Sequence, residues 1–221
     1  MTADSVVFGF DGKKLHILLI ERGIEPYKGS WALPGGFMNI NETIEECARR
    51  ELHEETGVED IYLEQFHVFS GINRDPRERV VTVAFFALVR KSDYGLIAGD
   101  DAVRANWFDL DELPPLAFDH AGIIKHARGY LQEVLRNRPI AFKLLDEKFS
   151  MAELQRLYEA INGVEYDRRN FAKKMNSTGL LRDEGISPTP SRSRYPNLYS
   201  FDEDAYMEEK ESCPKGNPFN I

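Results

Sequence analysis

The chain has 221 residues, of which 42% are hydrophobic and 29% charged, and its formal net charge is -9 at pH 7. This composition is typical of a globular protein, and the acidic balance argues against a protein that coats nucleic acid non-specifically, although a whole-chain sum can hide a local basic patch. No run approaches the roughly 18 apolar residues of a membrane span, and the N-terminus lacks the layout of a signal peptide. We therefore expect a cytoplasmic protein with no membrane contact. Its two cysteines, Cys47 and Cys213, are expected to be free thiols.

The first half of the chain is rich in predicted strands. SVVFGF and LHILLIE are β-rich runs on either side of the turn signal Asp11-Gly12, which predicts a hairpin. Two more strands are expected within residues 60–72 and 79–90, where apolar, β-branched and aromatic residues cluster on either side of the turn NRDPRE. A further short strand is expected in ANWFDL, before a proline stop.

Two long helices are predicted among these strands. One lies in the glutamate-rich stretch GGFMNINETIEECARRELHEETGV, and the other runs from His120 to about Asn137, where apolar residues recur at helical spacing. Strands mixed with long helices predict an α/β layered domain over residues 1–138.

The glutamate-rich helix has clear predicted limits. Thr43 followed by Glu46 forms a capping box, and Gly57 is a natural stop, so the helix is expected from about Ile44 to Thr56. At 100° per residue, four residues fall within about 60° of one another: Ile44, Ala48, Glu51 and Glu55. Three others point the opposite way: Glu46, Arg49 and His53. Two carboxylates therefore continue the inward-facing apolar stripe.

Carboxylates gathered at a partly buried surface repel one another and lose hydration, so a positive charge must offset them. Arg50 is the only nearby cation on the helix, which is too little for this cluster. Oxygen ligands without histidine or cysteine favour Mg²⁺ or Mn²⁺ over Zn²⁺. We therefore expect a divalent metal that binds substrate phosphates and activates water.

The same stretch resembles the signature of the Nudix hydrolases. Gly36, then Glu42 after five residues, then RELHEETGV after seven more, match every constrained position of that signature. Such a chain resembles enzymes with a Nudix α/β/α sandwich that hydrolyse a nucleoside diphosphate linked to another group. The resemblance therefore implies a metal-dependent hydrolase of the ADP-ribose pyrophosphatase type.

By match to the motif, Glu51, Glu54 and Glu55 would bind the metal together with the backbone carbonyl of Gly36. Glu54 or Glu55 would act as the base, and Arg50 would orient the carboxylates, so these three residues are the expected catalytic group. A rival interpretation is a degraded site that only binds its ligand.

Substrate contacts are expected from residues around this motif. Three arginines are candidates to hold phosphates: Arg22, Arg77 and Arg79. Two aromatic residues are candidates to stack on an adenine: Trp31 and Phe37. The alternative for these residues is solvated arginines beside turns and aromatic residues in the core. Asp100 and Asp101 precede the ANWFDL strand, where Nudix enzymes often place an extra acid.

The last third of the chain has a different character. Ser150 and Glu153 form a capping box before an amphipathic helix, and Asp167 can cap a second helix that ends at Gly179. The tail holds RSRYPNLYSF, two β-prone runs around Pro196. Two short helices and a hairpin predict a small winged helix-turn-helix domain over residues 139–221.

This second domain is locally basic. Residues 139–182 contain eight Lys and Arg against six Asp and Glu, which makes the stretch +2 within an acidic chain. The second helix offers five candidate DNA contacts: Arg168, Arg169, Asn170, Lys173 and Lys174. Arg192 and Arg194 are candidates for a basic wing. We expect these residues to bind double-stranded DNA.

The combination resembles the Nudix-related transcriptional regulators, and the likeness extends to INRDPRERVV and LPPLAFDH. Proteins of that type bind operators as dimers, and a nucleotide or sugar-derived effector changes their affinity for DNA. Many have a damaged Nudix signature, whereas this one is whole. We therefore expect a hydrolase of ADP-ribose or a similar compound that is also a regulator and a homodimer. The alternatives are a hydrolase whose second domain only packs or dimerises, and a non-catalytic repressor of NAD or sugar metabolism genes.

Overall fold

A computed structural model of the chain describes residues 1–59, 61–93, 102–190 and 195–212. Five residues singled out above lie outside these ranges: Asp100, Asp101, Arg192, Arg194 and Cys213. One compact unit consists of Met1–Asp11 and Leu15–Tyr130. The other consists of Gly12–Lys14 together with the chain from Leu131 onwards. The proposed domain limit at residue 138 stays a prediction. None of the described helices combines the length and apolar character needed to cross a membrane.

The first unit is built on one seven-stranded sheet. Its strands are β1 Thr2–Phe10, β2 Leu15–Arg22, β3 Trp31–Ala32, β4 Gly35–Phe37, β5 Glu64–Phe69, β6 Thr82–Arg90 and β7 Ala102–Asp109. β1 is buried along its whole length, pairs antiparallel with β2 and β4, and pairs parallel with β6. The predicted hairpin is confirmed, since Phe10 lies opposite Leu15. With helix α1 Ile44–Thr56 and the part of helix α2 His120–Asn137 up to Tyr130, the unit is the mixed α/β domain that the sequence predicts.

Helix α1 has the predicted bounds and the predicted phase. Thr43 and Glu46 form both hydrogen bonds of the capping box, and Gly57 ends the helix in the left-handed conformation at φ 73°. Its buried residues are Cys47, Ala48, Leu52, Glu55 and Thr56. Three residues on the other side are exposed: Glu46, Arg49 and His53. A carboxylate therefore lies in the buried stripe, which the sequence predicted.

The second unit is a winged helix. Its further elements are β8 Phe149–Ser150, α3 Met151–Asn162, α4 Arg168–Ser177, β9 Leu181–Ile186, β10 Asn197–Phe201 and α5 Glu203–Ser212. β10 lies between β8 and β9 in a three-stranded antiparallel sheet. Ser150 caps α3 and Asp167 caps α4, as predicted. Phe171 and Met175 of α4 are buried, and the Phe171 ring packs edge-on against Tyr158 of α3.

The wing differs from the sequence prediction. The sequence predicts the two wing strands in RSRYPNLYSF, on either side of Pro196, and most of the first run, residues 191–194, lies outside the described residues. The structure pairs Asn197–Phe201 with Leu181–Ile186 instead. LRDEGI has three consecutive charged residues and a glycine, so it has little intrinsic β signal. Pairing with β10 stabilises it as a strand, which is a non-local effect. Helix α5 was also not predicted.

Candidate functional site

Two glycines of β4 allow the carboxylates of α1 to approach this strand closely. The Gly35 amide donates a hydrogen bond of 2.8 Å to Oε2 of Glu55, and the Gly35 backbone has a φ of 155°, which other residues rarely adopt. A Cβ at Gly36 would lie 2.4 Å from Oε1 of Glu51. Strand β4 and helix α1 therefore meet through backbone and carboxylate groups.

Arg50 binds three of the glutamates. Its guanidinium donates to both carboxylate oxygens of Glu42 at 2.9 and 2.7 Å, to Glu51 at 2.8 Å and to Glu54 at 2.9 Å. It also donates to the carbonyl of Phe37 at 3.2 Å. The hydrogen bonds from Arg50 lower the pKa of Glu42 to about 2. A bidentate pair of this kind orients both side chains, which agrees with the role expected of Arg50.

Glu55 lies in a less compensated environment. Its residue is only 6% exposed, and burial raises the pKa of its carboxyl to about 8. The Gly35 amide opposes this rise, whereas the negative charges of Glu51 and Asp4 add to it. Burial also raises the pKa of Glu51, against the opposing effect of Arg50. Both carboxyls would therefore be stabilised as anions by an additional positive charge.

The donors present suit a hard divalent cation in chemistry and charge. Glu51, Glu55 and the Gly36 carbonyl are all oxygen donors on adjoining elements. Among the residues that the structure describes, however, no three acidic, histidine or cysteine side chains already stand together as a metal-binding group. Arg50 engages Glu51 and Glu54 with the same Nη1 atom. A bound cation would have to share these carboxylates with Arg50.

A cavity of about 270 Å³ opens beside Glu51 and Glu55. Its described lining includes four acids and four arginines: Asp4, Glu51, Glu55, Asp75, Arg22, Arg50, Arg74 and Arg77. The glycines of β4 and the carboxylates of α1 form one side of the cavity. Arg22 and Arg77 contribute guanidinium groups to the lining. Such a mixture suits a ligand that carries phosphate groups together with a metal ion.

Several residues of this cavity were not predicted from the sequence. Arg74 is buried and forms ion pairs with Asp4 at 3.3 Å and Asp119 at 2.9 Å. His120 is buried as well, and its Nδ1 accepts a hydrogen bond of 2.9 Å from the Leu33 amide. The only sequence signal for them was their place in the NRDPRE turn and in LPPLAFDH, and neither pattern shows that they meet.

The predicted substrate and metal residues are only partly brought together. Arg22, Phe37 and Arg77 line the cavity, as do the predicted Gly36, Arg50, Glu51 and Glu55. Trp31 and Arg79 are not among the described lining residues: Trp31 packs on Phe108 with ring centroids 4.5 Å apart, and Arg79 donates to the Gly71 carbonyl at 2.8 Å. Glu54 is also outside the lining, with its side chain 39% exposed.

In the second unit, the predicted DNA contacts lie mainly on the outside of α4. Arg168, Arg169, Asn170 and Lys173 are exposed, and Lys174 is half-buried. Arg169 and Lys173 are four residues apart and so share a face of the helix, opposite the buried Phe171 and Met175. Asn176 is exposed one turn further along this face and is not among the predicted DNA contacts. The result is a polar, basic face on an otherwise packed helix.

Comparison with protein families divides the chain in the same way. Residues 1–127 match the NUDIX domain, and residues 141–201 match the NrtR DNA-binding winged helix domain. The chain is 34% identical over 205 residues to the ADPR responsive transcriptional repressor NtrR of Acinetobacter baylyi, covering 91% of this chain and 81% of that protein. The two proteins are therefore similar over both units.

Two further relatives bear on the separate units. The chain is 47% identical over 119 residues to the ADP-ribose pyrophosphatase of Methanocaldococcus jannaschii, covering 54% of this chain and 69% of that protein. The crystal structure of Shewanella oneidensis NrtR complexed with a 27mer DNA has a TM-score of 0.76 and 31% identity, covering 94% of this chain and 95% of that one. The likeness to an enzyme thus involves about half of this chain, and the likeness to a DNA-bound regulator nearly all of it.

Proposed function

Because the chain belongs to the Nudix family and carries an NrtR-type winged helix, we propose that it is a hydrolase that also regulates transcription. Its substrate is ADP-ribose or a similar nucleoside diphosphate derivative, its cofactor is Mg²⁺ or Mn²⁺, and its DNA partner is a double-stranded operator. The observation that carries the proposal is the cavity in which Glu51, Glu55 and Gly36 adjoin Arg22 and Arg77. Relatives named for both activities support it.

Glu51, Glu55 and the Gly36 carbonyl would hold the metal ion, and Glu54 would join them after leaving Arg50. When bound, the ion neutralises diphosphate charge and activates a water molecule for attack on phosphorus. Arg50 positions Glu51, and its hydrogen bonds compete with the metal ion for the carboxylates. These assignments make the carboxylates of α1 the metal side of the cavity.

The other residues bind and orient the substrate. Arg22 and Arg77 donate hydrogen bonds to the diphosphate, which holds one phosphorus in line for attack by water. Glu55 accepts a proton from this water, since its carboxylate is already held against β4 by the Gly35 amide. Cleavage of the bond between phosphorus and the bridging oxygen releases AMP and ribose 5-phosphate from ADP-ribose.

Operator binding is assigned to the second unit. Arg169 and Lys173 of α4 contact phosphates, while Asn170 and Arg168 at the start of the helix lie where a recognition helix meets base edges. The protein binds the operator as a homodimer, so that two copies of α4 contact two half-sites. ADP-ribose bound in the first unit changes the affinity for DNA, and its hydrolysis removes the effector.

A second candidate function is a sensor without catalysis. The observation that favours it is the arrangement around Arg50, which already occupies Glu51 and Glu54. The likeness to a named repressor over both units favours it too. In that case the cavity binds ADP-ribose unchanged, and only the DNA affinity responds.

One experiment separates the two functions. Purified protein is mixed with ADP-ribose and Mg²⁺ or Mn²⁺, AMP release is followed by chromatography, and binding is measured in parallel by calorimetry with EDTA present. AMP release that requires the metal supports the hydrolase. Binding without any AMP release in either metal supports the sensor. If the protein neither binds ADP-ribose nor releases AMP, the proposed ligand class is rejected.

A further inference from the structure

A short segment between β7 and α2 is held against β3 by its backbone. Leu116 forms an isolated parallel bridge with Trp31, and the Ala117 amide donates a hydrogen bond of 2.8 Å to the Trp31 carbonyl. Ala117 is fully buried. The start of this segment therefore has little freedom to move.

The other end of the segment is held by side chains. Asp119 accepts hydrogen bonds from Nε and Nη2 of Arg74 at 3.1 and 2.9 Å. Nδ1 of the buried His120 accepts a bond from the Leu33 amide at 2.9 Å. Phe118 lies between these contacts and those of Ala117, so the conformation of its backbone is determined from both sides.

Phe118 has a φ of 52°, in the left-handed region that bulky residues rarely adopt. Tyr27 is the other residue besides glycine with a positive φ among the described residues, at 64°. The two rings contact each other edge to face, with centroids 4.8 Å apart. Backbone strain of this kind persists where surrounding contacts impose it, and it clusters at binding sites.

The ring of Phe118 lies beside two guanidinium groups. Cζ of Arg22 is 4.9 Å from the ring centroid and Cζ of Arg77 is 5.6 Å from it, and all three residues line the cavity. Attraction between a cation and the face of an aromatic ring operates at these distances. One ring therefore contacts both guanidinium groups on the cavity wall.

Each arginine is also restrained by other contacts, and Cζ of Arg77 lies 5.2 Å from the ring centroid of Phe37. Nε of Arg22 donates to the carbonyl of Pro26 at 2.9 Å. Arg77 donates to both carboxylate oxygens of Asp75, at 3.1 and 2.8 Å. The ring of Phe118 is thus a common contact of two guanidiniums that belong to different segments of the chain.

We propose that Phe118 is a positioning residue for diphosphate binding: its strained backbone places the ring where it holds Arg22 and Arg77 ready for one diphosphate group. The ligand class is a nucleoside diphosphate derivative. The inference rests on the proposed function, because it names a residue that acts through the two arginines assigned there to the substrate. Glycine would suit this backbone conformation better than phenylalanine does, so the ring itself is what the position supplies.

The test is calorimetric titration of the full chain with ADP-ribose in EDTA, so that no turnover occurs. Loss of two cation-ring contacts in Phe118→Leu is expected to weaken binding about 10-fold. Phe118→Tyr keeps the ring face and is expected to bind within about 2-fold of the unmodified protein. Phe118→Gly fits the backbone conformation and should fold, yet it should lose affinity as Phe118→Leu does. Phe108→Leu, which removes a ring packed on Trp31 outside the cavity lining, is the control and should bind normally.

The outcomes are distinct. Unchanged affinity in Phe118→Leu, or an equal loss in Phe118→Tyr, overturns the positioning role while the proposed function stands. A second titration with adenosine, which has no diphosphate, should show no dependence on Phe118. An equal loss with adenosine would mean that the ring contacts the base, which also overturns the inference. If the unmodified protein binds no ADP-ribose, with or without Mn²⁺, the proposed ligand and this inference both fall.

Discussion

The cavity of the first unit and helix α4 of the second use arginine and lysine in opposite ways. In the first unit, Arg50, Arg74 and Arg77 are bonded to carboxylates around a cavity. In the second unit, Arg168, Arg169 and Lys173 project from α4, and no ion pair of theirs occurs within the described part of the chain. Cations inside a cavity need anions to offset their lost hydration, whereas exposed cations remain hydrated until a partner arrives.

This difference indicates two kinds of ligand. The described cavity lining has equal numbers of acids and arginines. It therefore suits a ligand whose phosphates bind together with a metal cation, because the two together carry little net charge. The basic face of α4 has no such balance and suits a dense line of phosphates. The net charge of -9 for the whole chain gives no sign of this basic face on α4.

The largest expected effect concerns the acidic side of the cavity. In Glu55→Gln we expect AMP release from ADP-ribose to fall by about 10²- to 10⁴-fold, since the proton acceptor and a metal donor are both lost. Glu45→Gln, at an exposed position of the same helix, is the control and should retain full activity. Steady-state kinetics with Mn²⁺ measure the effect. Turnover that survives in Glu55→Gln would contradict the role of the buried carboxylate.

The next effect concerns the exposed cations. Arg169→Ala combined with Lys173→Ala should weaken binding to a duplex selected from a random DNA library. The slope of log affinity against log salt concentration should decrease by about 4 for the dimer, since two phosphate contacts disappear from each of the two copies of α4. Fluorescence anisotropy at several salt concentrations measures both quantities.

The matched control for this experiment is Lys148→Ala. Lys148 belongs to the same unit but is already neutralised by Glu184, with Nζ 2.6 Å from the carboxylate. Its removal should leave the slope nearly unchanged. A slope that changes equally in both variants would remove the distinction between free and paired cations.

A smaller effect concerns the core of the second unit. The Tyr158 hydroxyl is buried and has no hydrogen-bond partner within the described structure. Tyr158→Phe should therefore raise the free energy of unfolding by about 1 kcal/mol. Tyr166→Phe is the matched control, because the Tyr166 hydroxyl accepts a bond of 3.0 Å from Asn162. Urea denaturation compares the two, and a loss of stability in Tyr158→Phe would show an unrecognised partner.

The smallest effect concerns the pH dependence of the Arg50 cluster. The pKa of Glu42 is lowered from 4.5 to about 2 by Arg50, so its contribution to stability is complete above pH 4.5 and is lost as the pH falls towards 2. Glu42→Gln should be less stable than the unmodified protein at pH 6, and the difference should shrink with falling pH. Urea denaturation between pH 6 and pH 3 measures it. A difference that stays constant over this range would mean that Glu42 is not bound by Arg50.

The site was only partly predictable from the sequence. Glu51 and Glu55 could be assigned to one inward face because a helix has a regular period and Thr43 and Gly57 mark its ends. Residue type and nearness in sequence to the signature predict Trp31 and Arg79 as substrate contacts. Nearness along the chain does not determine the direction of a side chain, and both lie outside the described cavity lining.

Arg74 and Phe118 show the opposite case, since neither was selected although both line the cavity. Arg74 meets Asp119 across 45 residues of sequence. The ring of Phe118 reaches the cavity through an unusual φ that phenylalanine does not signal. The first wing strand escaped prediction for a related reason, because β9 is stabilised by its pairing with β10 rather than by its own residues.

The sequence by itself determined the periodic and local features: the hairpin of β1 and β2, the caps and phase of α1, the capped helices of the winged helix, and the family signature. These depend on interactions between residues a few positions apart. Only the tertiary structure decided which charges share a cavity and that Phe118 lies between two arginines. Those contacts join segments far apart in sequence, and they arise from packing of the whole unit rather than from the preference of any one residue.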